Sequence, residues 1–345
     1  MMMRNLLFII SVVFLLACNS VRYIDIDAYR PAEITFPPNM EKVMIVNNAV
    51  PQPSDVGYSY KILGVEQDTA RVMVDSALFD FNHSLGKKLV DVDYFKDVLL
   101  LSEPIRTDSN FWEEKRLTRE QVIQLCEEND VDVIISLESL IFNTSKDLSL
   151  FHGYLYNISV KVEAKGVLRA YTPERDSPMT SILLFDSLNV SDSEAYLELL
   201  SKNFPSTEEV IRSAGSYFGD KSFVNFVPYW QQDMRWYYTS GNTAWRTAAA
   251  YASTGKWTLA NEQWQDIYES TNRTSAKAKA ASNVALALEL NGEISEAYNW
   301  AQKSVDLFKG YEKEDSDVYK RQDIYARMLK ERLLDENRLI RQIRR

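Results

Sequence analysis

Small and large residues recur at an interval of 37 positions in the carboxy-terminal third of the sequence. Small residues are required where two antiparallel helices approach closely, and large residues fill the space beside them. The repeat therefore predicts stacked pairs of antiparallel helices over residues 241–310. The repeated positions are Ala248, Tyr251, Gly255, Trp257 and Ala260, which return as Ala285, Leu288, Gly292, Ile294 and Ala297.

This pattern resembles the tetratricopeptide repeat, whose helix pairs recur about every 34 residues. The longer interval fits the polar loop at residues 270–275, and the proline that usually ends each repeat is missing. The resemblance implies a concave groove that binds a protein or peptide, whereas a purely structural helical extension is the alternative. Residues 311–345 predict a charged helix that caps the stack. Alignment of the two repeats places five residues in the groove: Trp245, Ala249, Lys279, Ser282 and Glu289.

The amino terminus has the pattern of a secretory leader. Arg4 precedes an apolar run at residues 6–16, which is about half of the roughly 20 residues that span a bilayer. The run ends in Leu15-Leu16-Ala17-Cys18, which resembles a bacterial lipobox. The resemblance implies that residues 1–17 are a signal peptide and that the thiol of Cys18 receives diacylglycerol, which anchors the chain stably. An ordinary secretory signal with a chance cysteine is the alternative.

Residues 18–40 predict a tether, because Pro31, Pro37 and Pro38 interrupt a stretch with little periodicity. Asn19 follows the lipobox cysteine, where some bacteria use an aspartate as the signal for retention in the inner membrane. We therefore expect a protein that is lipid-anchored in the outer membrane and faces the periplasm.

Residues 41–215 predict a mixed α/β domain. Candidate strands at 42–46, 95–101 and 130–137 alternate with candidate helices, the second of which opens with a capping box at Thr118 and Gln121. This order indicates parallel pairing with right-handed crossovers, whereas a hairpin-like connection at 171–176 indicates an antiparallel pair. A second capping box, at Ser206 and Glu209, begins a later helix. The order of elements resembles the amino-terminal domains of Tol-translocation and curli-secretion periplasmic proteins.

Nine aromatic residues fall within residues 217–238. Such an apolar stretch would be costly to expose, so residues 216–240 predict a buried interdomain segment that includes Trp230. The alternative is a stacking platform for sugars, because Trp and Tyr offer flat faces with polar tips. The complete fold prediction is an α+β or α/β class, with an amino-terminal mixed α/β domain followed by an all-α region of tetratricopeptide-like helical hairpins.

Several chemistries are disfavoured by composition. The net charge of −10 argues against nucleic-acid binding, and a chain with two histidines and two cysteines is poorly suited to multi-histidine metal sites. Glycines are all separated by more than two residues, which excludes G-x-G nucleotide motifs. Cys126 lies on the apolar face of a candidate helix, where thiols are usually inert. We predict no cofactor, no metal site and no catalytic residue.

Together, the lipobox, the α/β domain, residues 226–230 and the helical repeats resemble an uncharacterised lipoprotein family of Bacteroides-type bacteria. That resemblance implies no known activity. The leading hypothesis is a non-enzymatic, lipid-anchored scaffold or adaptor that binds another envelope protein. The alternative is a carbohydrate-binding or carbohydrate-processing envelope lipoprotein, and a third possibility is a secretion or stress factor that binds a small ligand on the α/β domain. Residues 317–322 read either as a natural helix start or as the translation of a transposon end used in sequencing libraries.

Overall fold

A computed structural model describes residues 21–67, 72–239 and 241–344. Cys18 and the predicted signal peptide lie outside the described residues. The described residues divide into two compact units, here called the α/β unit (within 32–227, with 342–344) and the helical unit (21–31 and within 228–341). None of the described helices has both the length and the apolar composition that crossing a bilayer requires.

The described chain contains nine strands and nine α-helices. The strands are β1 (Val21–Arg30), β2 (Lys42–Asn47), β3 (Tyr58–Ile62), β4 (Val65–Gln67), β5 (Asp97–Leu100), β6 (Val133–Phe151), β7 (Leu155–Tyr171), β8 (Thr180–Glu194) and β9 (Tyr229–Tyr238). The helices are α1 (Asp75–Val92), α2 (Arg119–Asn129), α3 (Leu197–Asn203), α4 (Thr207–Ser222), α5 (Thr243–Ser253), α6 (Trp257–Ser270), α7 (Thr274–Leu290), α8 (Ile294–Lys309) and α9 (Asp317–Ile343). The predicted combination of a mixed α/β region and a helical region is confirmed.

The α/β unit is built on a mixed seven-stranded sheet. β2 pairs in parallel with both β5 and β6, as the alternation of strands and helices predicts. The antiparallel pairing of β7 with β8 is also confirmed. β6 is much longer than its predicted core at 130–137, because it continues to Phe151 and forms a long antiparallel hairpin with β7.

The sheet carries helices on both faces. α1 and α4 pack closely on each other, and a Cβ added to Gly219 would lie 2.1 Å from the backbone oxygen of Phe81. On the other face, α2 buries Val122 and Cys126. Both predicted capping boxes are present, at the first residues of α2 and of α4.

Helices α5 to α8 of the helical unit follow one another as hairpins. The turns α5–α6 and α7–α8 contain Gly255 and Gly292, whose φ angles are +73° and +82°. This left-handed conformation favours glycine, which explains why glycine recurs there. The equivalent residues Ala260 and Ala297 are fully buried, as the repeat predicts for close helix contacts.

The predicted tether at 18–40 is wrong for its described part. β1 pairs with β9 along ten residues, from Val21 opposite Tyr238 to Arg30 opposite Tyr229, and the two strands form a ribbon. The physical reason is that the apolar residues from Ile24 to Ala28 alternate with Asp25 and Asp27, which is the period of a half-buried strand. Further along the predicted tether, four residues are buried in the α/β unit: Ala32, Ile34, Phe36 and Met40.

The aromatic segment 216–240 is also not a separate element. Its first aromatic residues lie in α4 and its last five lie in β9, because aromatic residues favour strands. The sequence predicts that Trp230 is buried, and this prediction is wrong, because the residue is 69% exposed. The aromatic residues at the end of β9, from Trp236 to Tyr238, pack instead into the core of the helical unit.

Candidate binding cleft of the helical unit

A buried ion pair joins the ribbon to the helices of the helical unit. Arg235 lies on β9 and Glu289 lies in the last turn of α7, and their side chains are 1% and 0% exposed. The Arg235 guanidinium donates from Nη2 to Glu289 Oε1 over 2.9 Å and from Nε to Oε2 over 3.0 Å. Two such donors facing one carboxylate give the bidentate geometry that makes arginine–carboxylate pairs strong.

Helix α9 and strand β1 complete this ion cluster. From α9, the Tyr325 hydroxyl donates to Glu289 Oε2 over 2.9 Å, and Arg332 donates to Oε1. From β1, Arg30 pairs with Asp233 of β9 over 2.6 Å, and Asp233 also accepts from Arg235. Burial, followed by the charge of Glu289, raises the pKa of Tyr325 well above its ordinary value, so this hydroxyl remains a donor.

The ion cluster contains three guanidinium groups and two carboxylates, which are linked in a continuous chain of hydrogen bonds. Removing a charged group from water costs several kcal/mol, which is recovered only when each charge keeps close partners. The ribbon, α7 and α9 are therefore held in one arrangement by groups that tolerate little displacement.

A cleft of about 300 Å³, here called the ribbon cleft, opens beside this cluster. Trp230 of β9 and Tyr29 of β1 form an aromatic pair at the cleft, with ring centroids 4.8 Å apart. The strand pairing explains their contact, because Tyr29 lies directly opposite Trp230 in the ribbon. The lining residues are Asp27, Tyr29, Arg30, Trp230, Glu289, Leu290, Gly292, Ile294, Arg332, Asp335, Glu336 and Leu339.

The ribbon cleft combines charged and aromatic surface. Asp27, Asp335 and Glu336 supply carboxylates, and Asp335 also pairs with Arg338 over 2.7 Å. Arginine and carboxylate groups can bind amide, hydroxyl or charged groups of a ligand, while the exposed Trp230 ring offers an apolar face. The chemistry suits recognition of an amphipathic ligand.

The five predicted groove residues do not share one surface. Trp245 and Ser282 are buried, and Glu289 belongs to the ion cluster. Lys279 lines a cavity of about 460 Å³ at the start of α5 together with Trp245, whereas Ala249 lines a different cleft. The predicted groove is therefore wrong as an open surface.

The physical reason for this correction is that the chain fills the groove with its own ribbon. β9 packs on α7, where the Asn283 amide donates to the Tyr238 carbonyl oxygen and accepts from the Tyr238 N–H, both over 2.8 Å. α6 and α8 also contact α7, so eleven of its residues are buried. Polar residues of α7 that appear suited to a partner thus bind groups of the same chain.

The α/β unit contains a second buried polar cluster. Glu138 lies at a β-bulge in β6, where the register with β7 shifts between Leu137 and Ser139. Its carboxylate accepts from the Tyr171 hydroxyl over 2.7 Å and from the Asn48 amide over 2.6 Å. Burial raises the pKa of Glu138 above its ordinary value. Bulges re-aim side chains, which accounts for an acid in the buried first half of this strand.

Cys126 and the two histidines are separate from these clusters. Burial, with smaller contributions from Asp132 and Glu174, raises the pKa of the Cys126 thiol to about 11. His83 and His152 are exposed in the α/β unit. In the described part of the chain, no three His, Cys, Asp or Glu side chains are grouped so that they could hold a metal ion.

Residues 40–238 match the family described as Domain of unknown function (DUF8603). The chain belongs to this family. Residues 246–331 match a second family, also described as a domain of unknown function (DUF6340). The first match ends at Tyr238, the last residue of β9, and the second covers α6, α7 and α8 entirely. The ribbon cleft therefore combines residues from both matched regions.

Similarity to other proteins adds little to these family matches. No curated protein matches the chain. A solved structure of the hypothetical protein CT253 from Chlamydia trachomatis is similar at 11% identity with a TM-score of 0.24, covering 53% of this chain and 92% of that chain.

Proposed function

We propose that this protein is a non-enzymatic, lipid-anchored cell-envelope protein that binds another envelope protein as a scaffold or adaptor. The ribbon cleft is the proposed recognition surface. The observation that carries this proposal is Trp230, which is 69% exposed and rests on Tyr29 beside the ion cluster.

The composition of the ribbon cleft supports a polypeptide partner. Tryptophan, tyrosine and arginine dominate the energy of protein–protein interfaces, because each combines a large contact area with hydrogen-bonding groups. Trp230, Tyr29 and Arg332 supply this combination within one cleft. The buried ion cluster beside them already fixes the ribbon, α7 and α9. Less conformational freedom is therefore lost when a partner binds, which favours affinity.

A binding role is favoured over catalysis because the reactive side chains are paired or buried. The guanidinium groups of Arg30 and Arg332 are engaged with carboxylates of the ion cluster. The Cys126 thiol is buried and its pKa is raised, so little nucleophilic thiolate forms near neutral pH. Such groups are suited to holding structure and to binding.

The proposed anchor is Cys18, supported by the Leu15-Leu16-Ala17-Cys18 sequence. Metabolic labelling with a fatty acid should mark the wild-type protein and leave Cys18→Ala unmarked. Equal labelling of the two proteins would contradict lipidation, and fractionation of the envelope would then separate a secreted protein from an anchored one.

Partner binding is tested by placing a photo-activated cross-linker at position 29 in cells and identifying the captured polypeptide by mass spectrometry. Trp230→Ala should abolish capture and leave the melting temperature unchanged, because the ring is exposed. Trp112→Ala is the matched control, since Trp112 is 75% exposed and lies in the α/β unit. Equal loss of capture in the two variants, or capture that Trp230→Ala leaves intact, would refute the cleft as the recognition surface.

A second candidate function is glycan binding in the same cleft. The pairing of Tyr29 with Trp230 favours it, because sugar rings stack on aromatic faces while their hydroxyls bind carboxylates such as Asp27. Titration calorimetry with soluble neutral and amino-sugar oligosaccharides tests this candidate. Oligosaccharide binding that depends on Trp230, together with no polypeptide cross-linked at position 29, would replace the protein-partner proposal with this one.

A further inference from the structure

A second cleft of the helical unit lies where β1 begins. Its volume is about 640 Å³, and Arg22 and Arg246 are its charged lining residues, so its lining is positive. Both arginines are exposed. The lining residues of this cleft, here called the Arg22 cleft, are Val21, Arg22, Tyr23, Thr239, Arg246, Ala249, Ala250 and Ser253.

Covalent geometry limits the distance between this cleft and the proposed lipid anchor. Val21 follows Cys18 by three residues. Three residues extend at most about 11 Å in any conformation. The head-group region of a bilayer leaflet is about 5–8 Å thick. If Cys18 carries the lipid, as the proposed function requires, the first residues of β1 lie at or just above the phospholipid head groups.

We propose that the Arg22 cleft binds the phosphate of a phospholipid head group in the membrane that holds the lipidated Cys18. Guanidinium groups bind phosphate with paired hydrogen bonds, and two arginines line this cleft. Ala249, Ala250 and Ser253 also line the cleft, and their small side chains leave its volume of about 640 Å³ open to a head group.

The Tyr23 side chain agrees with this location. It is 52% exposed and lines the Arg22 cleft. Tyrosine is enriched at the interface between membrane and water, where its ring contacts apolar groups and its hydroxyl stays hydrated. A lipid chain on Cys18 and a head group in the Arg22 cleft fix the chain at two points, which orients the helical unit relative to the membrane surface.

The decisive measurement uses the mature chain with Cys18→Ser, so that no acyl chain contributes to membrane binding. The protein is titrated with phosphatidylglycerol vesicles, with vesicles of phosphate-free galactosyl diacylglycerol, and with inorganic phosphate alone. We expect binding to phosphatidylglycerol that weakens about fivefold for Arg22→Ala and about fivefold for Arg246→Ala, since each basic residue near an anionic surface contributes about 1 kcal/mol. Arg175→Ala, an exposed arginine of the α/β unit, should bind like the parent.

Each contrary outcome overturns the proposal. Equal binding of the parent and both cleft variants would show that the Arg22 cleft takes no part. Equal binding to phosphate-free vesicles would exclude phosphate recognition, and arginine-dependent binding of inorganic phosphate without vesicle binding would assign the cleft to a free anion. Fatty-acid labelling of Cys18 is independent of these titrations, so failure of the anchor and failure of the cleft are distinguishable.

Discussion

Replacing Glu289 with alanine tests the ion cluster on which the ribbon cleft is built. The Glu289 carboxylate is fully buried and accepts hydrogen bonds from Arg235, Arg332 and Tyr325. The variant would leave the Arg235 guanidinium, itself 1% exposed, with Asp233 as its remaining carboxylate partner. Breaking a buried ion-pair network is among the few changes that destabilise a protein severely.

The expected magnitude follows from this burial. Removing one partner of a buried ion pair costs about 3–5 kcal/mol. With a denaturant slope of about 2 kcal/mol per molar urea, the unfolding midpoint of the helical unit should fall by about 2 M. The double variant Arg235→Met/Glu289→Leu should lose less stability than Glu289→Ala, because it removes both charges and leaves apolar groups of similar size.

Tryptophan fluorescence can follow the helical unit selectively. Six of the seven tryptophans lie in this unit, and Trp112 lies in the α/β unit. Glu262→Ala is the control, since Glu262 is an exposed glutamate on α6 and its removal should change the free energy of unfolding by less than about 0.5 kcal/mol. A midpoint for Glu289→Ala that equals that of Glu262→Ala would refute the reasoning, because the carboxylate would then be solvated.

Three further predictions concern single side chains. Trp245→Ala should cost about 3–5 kcal/mol in urea unfolding, because Trp245 is 5% exposed, whereas the exposed Trp230 should be replaceable at little cost. Ala260→Leu should cost about 1–3 kcal/mol and speed limited proteolysis of the helical unit, since Ala260 is fully buried. Burial raises the pKa of Glu138, so the folded state keeps a proton at a pH where the unfolded state has lost it. The wild type should therefore lose stability relative to Glu138→Gln as the pH rises above the ordinary carboxyl range. Parallel unfolding curves of the two proteins between pH 4 and pH 7 would contradict this assignment.

Elements with strong local signals were predictable from the sequence. The capping boxes at Thr118 and Ser206 marked the first residues of two helices, since a side chain there satisfies backbone N–H groups that the helix leaves free. Gly255 and Gly292 marked helix ends, because each adopts a left-handed conformation. These signals act within a few residues, so no knowledge of the tertiary fold was needed to interpret them.

The ribbon was not predicted, although its first strand carries a local signal. Ile24 and Ile26 alternate with acidic residues, but the nearby prolines indicated an irregular tether. A strand of this length is stable only when it has a partner, and the partner of β1 follows it by about two hundred residues, as the Arg30–Asp233 pair shows. Local patterns cannot specify which distant strand supplies those hydrogen bonds.

The groove prediction failed for a related reason, and the failure moves the candidate site. The repeat alignment assigns Ser282 and Glu289 of α7 to a groove open to a partner, and Asn283 follows directly after Ser282. Ser282 donates to Gln322, Asn283 binds the backbone of Tyr238, and Glu289 pairs with Arg235, so that face is closed within the helical unit. The proposed recognition surface is therefore the outer end of the ribbon, where Trp230 is exposed beside the ion cluster. The polar residues that indicated a groove are thus the residues that support the neighbouring cleft.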